Sequence, residues 1–262
     1  MVSVIFDTNT YRRILLPEEF LNDTKFEYIN KIHQALVDKK IQGYLSETIF
    51  TLESIEKKKR KEYLSNYTPD VESRETVLDD ETICISILIA PNQKTLPILD
   101  HNRIKYLQEA KKLGIKIIKF PRIAGITSSV SEEYFVNELN DEDLYKKHHE
   151  KTADLANQIE SKGLGIGRIK NLCISHGADP NYWFEGIDKA TTNSIAKSVA
   201  EWADGDSVAI CYGHDIDFFC TEDEGKNCGA DSILSPTNKN WLKNDYGVNI
   251  VNLEDLCNIL ML

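Results

Sequence analysis

Carboxylates stand at both ends of this chain in places where chemistry can be done. Near the amino end, the apolar run Val2-Ser3-Val4-Ile5-Phe6 passes directly into Asp7-Thr8-Asn9. Near the carboxyl end, Asp204-Gly205-Asp206 opens an apolar stretch, and Phe218-Phe219-Cys220 ends on Thr221-Glu222-Asp223. Acids gathered in one place raise one another's pKa, and such a cluster persists where a hard divalent cation compensates it. Mg2+ or Mn2+ held by carboxylate oxygens and water can activate a water molecule and stabilise in-line displacement at phosphorus. The reaction that suits this set of groups is hydrolysis of a phosphodiester.

Such acids meet only if the right elements carry them. Residues 2–6 read as a buried strand, followed by a helix at about 24–40 whose apolar Phe26, Ile29, Ile32, Ala35 and Leu36 recur at helical spacing. A strand over 41–45 comes next, and Ser46 can cap a helix over 47–56 that carries Glu53, with Glu47 and Glu56 about a turn away. Later come a helix over 193–202, a short apolar helix pattern over 207–212 stopped at Gly213, and the strand 218–220. A helix ending at Gly247, a strand over 248–251 and a terminal helix over 253–262 complete the pattern. Alternation of this kind indicates an α/β fold with a mainly parallel sheet. In such sheets, sites lie at the carboxyl ends of the strands. Residues 1–65 and 199–262 are therefore expected to share one sheet with their acids along one edge. Neutralising Asp7 should then relieve repulsion in the metal-free chain and leave its melting temperature unchanged or higher.

The segment 66–198 reads as connecting helices and an inserted, partly helical subdomain. It contains an apolar strand over 82–89, a helix over 101–113, a strand over 115–120, and polar helices over 131–160 that suit an exposed arm. The run Lys57-Lys58-Lys59-Arg60-Lys61 is either a solvated helical face or a phosphate-contacting patch. Gly163-Leu164-Gly165-Ile166-Gly167 lacks the spacing of a dinucleotide fingerprint, and His148-His149-Glu150 is not a zinc-protease motif.

Composition bounds the function classes. A formal net charge of −11 and a pI near 5.1 exclude wrapping of nucleic acid by bulk electrostatics. A nucleic-acid contact must come from a local basic patch or a metal-filled acidic pocket. Cysteines 84, 173, 211, 220, 228 and 257 form no C-x-x-C pair, which points to reduced core residues and a cytoplasmic protein. The longest apolar run, 83–90, is too short to span a bilayer, so no membrane partner is expected.

Taken together, these residues resemble the PIN-domain nucleases. The likeness rests on Ile5-Phe6-Asp7-Thr8-Asn9 ending the first strand, Glu53 after the second, Asp206-Ser207-Val208-Ala209-Ile210 opening a late helix, and Phe218-Phe219-Cys220-Thr221-Glu222-Asp223. It covers roughly the first 65 and the last 65 residues. The resemblance implies a three-layer α/β/α PIN-like domain with a mainly parallel central sheet, and metal-dependent endoribonuclease activity of a stress or toxin-antitoxin type. Asp7, Glu53, Asp206 and Asp223 match the family's acidic, Mg2+- or Mn2+-binding positions, while Asn9 and Thr221 match polar positions lining the site. Asp204 competes with Asp206, and Glu47 or Glu56 with Glu53. RNA is the implied substrate, and an inhibitory protein and a second copy of the chain are partners to test for. The other readings are a catalytically inactive PIN-like binding module acting through its insertion, and another acidic-site phosphohydrolase.

Overall fold

Val2–Phe6 forms strand β1 at the centre of a five-stranded sheet, and its β-branched and aromatic residues account for that position: Val4, Ile5 and Phe6 are buried. The computed structural model describes residues 1–68, 70–77, 83–90, 96–121, 126–137, 141–225 and 232–262. Around β1 lie β2 (Ile41–Ser46), β5 (Lys116–Ile118), β6 (Phe218–Cys220) and β7 (Ile250–Val251), in the order β5-β2-β1-β6-β7. All four pairings are parallel.

Alternation along β1 divides the core between the two faces. Val4 and Phe6 pack with α1 (Thr8–Leu15), α2 (Phe26–Val37), α4 (His101–Lys112) and α9 (Leu253–Leu260). Ile5 packs on the opposite face with α5 (Glu142–Ser161), α7 (Thr192–Gly213) and α8 (Pro236–Tyr246). The chain is thus α/β, with a parallel sheet covered by helices on both sides. A third apolar cluster joins α3 (Arg60–Asn66), α6 (Ile166–Ser175) and the first half of α7 through Leu64, Ile169, Ile195 and Val199.

The terminal segments do share one sheet, and β5 adds a strand from the middle of the chain. The apolar strand in the 80s does not join it. That strand is β4 (Ile83–Ala90), which pairs antiparallel with β3 (Asp70–Val77) in a separate hairpin; Thr82 lies outside the described residues. Helix α5, which carries most of the polar 131–160 stretch, is no protruding arm, because its Leu155 and Ile159 are buried against α7; residues 138–140 lie outside the described residues. Cys84 is exposed, unlike the buried Cys173, Cys211, Cys220 and Cys257; Cys228 lies outside the described residues. None of the described helices is long and apolar enough to cross a membrane.

Two departures bear on the acids. The expected helix over 47–56 is a short 3-10 turn, Glu47–Phe50, followed by turns through Ile55. Four β-branched residues, Thr48, Ile49, Thr51 and Ile55, weaken helix propagation there, and Thr51 leaves the helical region at φ −114°, ψ −96°. The two helix patterns over 193–202 and 207–212 are instead one helix, α7, of 22 residues. It runs through Gly205, and the missing side chain there lets a neighbouring loop close in. A Cβ on Gly205 would lie 2.9 Å from Cα of Gly165, itself in a left-handed conformation at φ +55°. The Gly163–Gly167 run therefore packs a turn against α7 beside Asp204. Gly205→Ala should destabilise the protein by about 1–3 kcal/mol despite alanine's better helix propensity. Thermal melting checks this, and an unchanged or higher midpoint would show that the loop yields without cost.

Candidate active site

β1 and β6 are neighbours whose onward connections leave in opposite directions, so a crevice opens at their carboxyl ends, where open α/β sheets hold ligands. Asp7 leaves β1 there and Thr221 leaves β6 there, brought alongside each other by the pairing of Phe6 with Cys220. Asp7 is buried and caps α1: its Oδ1 accepts the Thr8 N–H at 2.6 Å. Its Oδ2 accepts from Asn9 Nδ2 and from the Thr221 hydroxyl, each at 2.7 Å. Asn9 in turn accepts the Glu222 N–H at 2.9 Å. Capping and lining the cleft are therefore compatible roles for one side chain.

Five further acids line the same cleft, which encloses about 760 Å³: Glu53, Asp204 and Asp223, with Glu56 and Asp100. Glu53 is held from both ends: its carboxylate accepts from the Thr8 hydroxyl, and its carbonyl accepts from Arg103 Nη2 at 2.8 Å. Asp204 stands half-buried on α7, and no described residue donates a hydrogen bond to its carboxylate. Asp223 lies exposed at the rim, near Lys239, whose ammonium donates to the Asp223 carbonyl at 2.8 Å.

Asp206 lies elsewhere. Positions 204 and 206 are about 200° apart around a helix of 3.6 residues per turn, so their side chains leave opposite faces. Asp206 is buried and accepts the Trp202 indole N–H at 2.9 Å, in a second hollow shared with Glu47, Thr48 and Thr51. Glu47 in that hollow accepts from Thr127 and Ser128 at 3.2–3.4 Å, which ties down the segment after β5. Glu56 lies on the cleft's edge, exposed and paired with Lys59 at 2.9 Å. The alternatives thus sort into two places: Asp204 and Glu53 with Asp7, and Asp206 with Glu47.

The acids act on one another. Burial, then the charges of Asp7, Glu53, Glu201 and Asp223, hold Asp204 well above the usual carboxylate range. Burial, then Asp7, pushes Glu53 up to about 7. Burial raises Asp7 too, opposed by the bonds from Thr221 and Thr8. Folding in the absence of metal therefore takes up a proton at Glu53. That contribution to stability is complete below the ordinary value of 4.5 and is lost as pH climbs through about 7. In chelator, the melting temperature of wild type should fall across this window more steeply than that of Glu53→Gln. Parallel curves would show that Glu53 ionises freely.

Positive charge surrounds the acids. Arg12, Arg60 and Arg103 line the cleft with Lys57. Arg60 is buried and donates to the carbonyls of Ile55 at 3.2 Å and Ala196 at 2.9 Å. Of the basic run, Lys57 and Arg60 face the cleft, Lys58 and Lys59 pair with Glu56, and Lys61 donates to the Asp188 carbonyl. Arg103 carried no signal in the sequence, because it arrives on α4 from the middle segment.

As they stand, no three His, Cys, Asp or Glu side chains among the described residues are grouped to hold one ion. Mg2+ does not require three, since it is usually bound through one or two carboxylates and keeps several waters. The all-oxygen donors and the Asp204 carboxylate, which has no hydrogen-bond donor among the described residues, fit such a hard cation. Comparison with protein-family models, with curated proteins and with solved structures finds no match for this chain.

Proposed function

We propose that this protein is a metal-dependent endoribonuclease of the PIN-like kind, hydrolysing RNA phosphodiester bonds in the cleft between β1 and β6. The observation that carries the reading is convergence: Asp7, Glu53, Asp204 and Asp223 come from four separate stretches of chain to one arginine-edged cleft. Asp204 and Asp7 would hold Mg2+ or Mn2+ together with waters, with Glu53 beside them and Asp223 at the rim. When bound, the ion activates water and offsets charge developing on the phosphoryl oxygens.

The chain's own residues supply the rest. Thr221 and Asn9 fix the Asp7 carboxylate, and Arg103 fixes the backbone of Glu53. Glu53, held by the Thr8 hydroxyl beside Asp7, can accept a proton at its carboxylate. The arginines bring positive charge to an acidic protein where a phosphate must approach.

Incubating labelled RNA with manganese, beside a phosphomonoester substrate under the same conditions, tests the reading. Internal cleavage of RNA that stops in chelator supports it. Turnover of the monoester alone indicates a different phosphohydrolase, and RNA binding without cleavage indicates an inactive binding module.

A further inference from the structure

Two buried polar atoms among the described residues lack a hydrogen-bond partner, Tyr63 Oη and Arg103 Nε. Their residues line two adjoining hollows. Arg103 is in the wall of the acidic cleft, and Tyr63 lines a hollow of about 580 Å³ that has an apolar part, Ile55, Leu96, Pro97 and Ile98, and is lined also by Lys59, Glu62 and Asn66. The hollows share Ser54, Ile55, Glu56, Ile98 and Asp100, so the ridge between them is the chain that follows Glu53 directly. On the apolar side, the Tyr63 ring stacks on Tyr67, with centroids 6.0 Å apart and planes at 22°. On the acidic side, Arg103 pairs with Asp100 while holding the Glu53 carbonyl. Nearby, the Arg12 guanidinium lies 5.8 Å from the ring centres of both Tyr11 and Tyr106.

We propose that these two hollows form one nucleotide subsite beside the scissile bond, with a phosphate on Arg103 and Arg12 and the adjoining base against Tyr63. The subsite rests on the ribonuclease reading and adds to it the recognition of a flanking nucleotide. A phosphate supplies acceptors to a guanidinium in the forked geometry that Arg matches best. A small shift of the side chain offers the unfilled Nε–H to one of its oxygens. A nucleobase has flat apolar faces and a polar edge, which suits a hollow of mixed lining that offers aliphatic and aromatic surface, polar side chains and an unfilled tyrosine hydroxyl. Stacking on an aromatic side chain accepts any base, so the subsite orders the strand without selecting sequence.

Binding of a fluorescent octaribonucleotide, with calcium as the divalent ion and the strand checked to be intact, separates recognition from cleavage. Arg103→Gln and Arg12→Gln should each lower the slope of log affinity against log salt by about 0.7–1, as loss of one phosphate contact does. A role confined to holding the Glu53 carbonyl would leave that slope unchanged. Arg12→Gln also serves if Arg103→Gln fails to fold. Tyr63→Ala should weaken binding about tenfold, and it should abolish the loss that one abasic nucleotide causes in wild type. Preference for a 5′-phosphorylated over a 5′-hydroxyl strand, lost in Arg103→Gln, would place a terminal phosphate in the subsite; equal binding would place an internal one. Unchanged salt slopes in folded arginine variants, or an abasic penalty retained in Tyr63→Ala, overturn the subsite while leaving RNA cleavage as evidence for the nuclease. Absence of both binding and cleavage overturns both.

Discussion

Asp204→Asn should abolish RNA cleavage and, in chelator at about pH 8, raise the melting temperature above that of wild type. Asp204 receives no hydrogen bond from the described residues, and Asp7, Glu53, Glu201 and Asp223 all oppose its ionisation. An amide of the same size removes that opposition and breaks no described contact. Relief of 1 kcal/mol raises the midpoint of a domain this large by roughly 2–4 °C. The gain has a sign in pH. Asp204 has a raised folded pKa, so wild type loses stability as pH rises above the ordinary carboxylate value of 3.8. The two proteins should therefore melt alike at low pH and diverge as pH increases. Manganese should stabilise wild type and leave the variant nearly unmoved, because an ion bound to the folded state alone adds stability by mass action. Asp206→Ala is the counterpart: it removes the acceptor of the buried Trp202 N–H and should cost about 1–3 kcal/mol while sparing cleavage and the manganese response. Cleavage that survives Asp204→Asn and disappears in Asp206→Ala would return the site to the other face of α7.

Asp7→Asn should likewise abolish cleavage, but with the opposite effect on stability. Relief of repulsion alone predicts an unchanged or higher melting temperature. The structure adds what the relief must offset: the Asp7 carboxylate accepts from Thr8 N–H, Asn9 Nδ2 and the Thr221 hydroxyl. An amide can keep the cap through its single oxygen, yet its NH2 would then meet two donors. Hydrogen bonds to charged groups contribute about 1.5–3 kcal/mol each, and unpaired buried donors cost a similar amount. Lost bonds should outweigh repulsion that those same bonds already soften. The metal-free variant should therefore melt several degrees below wild type, roughly 2–4 °C for each 1 kcal/mol lost. Calorimetry of Asp7→Asn and Asp204→Asn side by side in chelator reads this contrast directly. Equal shifts of the same sign would show that the donors around Asp7 contribute little.

The central strands were legible because burial on both faces demands continuous apolar runs, and Val2–Phe6 and Phe218–Cys220 are such runs. The acids at their tips followed from chain order alone, since a parallel sheet places the ends of neighbouring strands together. The hairpin pairing of β3 with β4 was not legible, because an apolar run such as 83–90 suits either a central strand or an exposed one, and only its partner decides.

The helical acids show the same division at finer scale. Sequence placed a carboxylate near residues 204–206 and another between Glu47 and Glu56, because those residue types stand beside apolar elements. It could not choose among them. That choice depended on whether α7 ran unbroken through Gly205, against which Gly165 of a remote loop lies. It depended equally on where the chain left helical geometry after Phe50. Arg103 makes the point most sharply: nothing near it in sequence resembles a site, and packing of α4 against α1, with Tyr106 on Tyr11, brings it to Glu53. Local residue pattern determined the central strands β1, β2 and β6 and which of them end in acids. Tertiary packing decided which side chains face one another, because a rotation of one or two residues along a helix exchanges a cleft for a core.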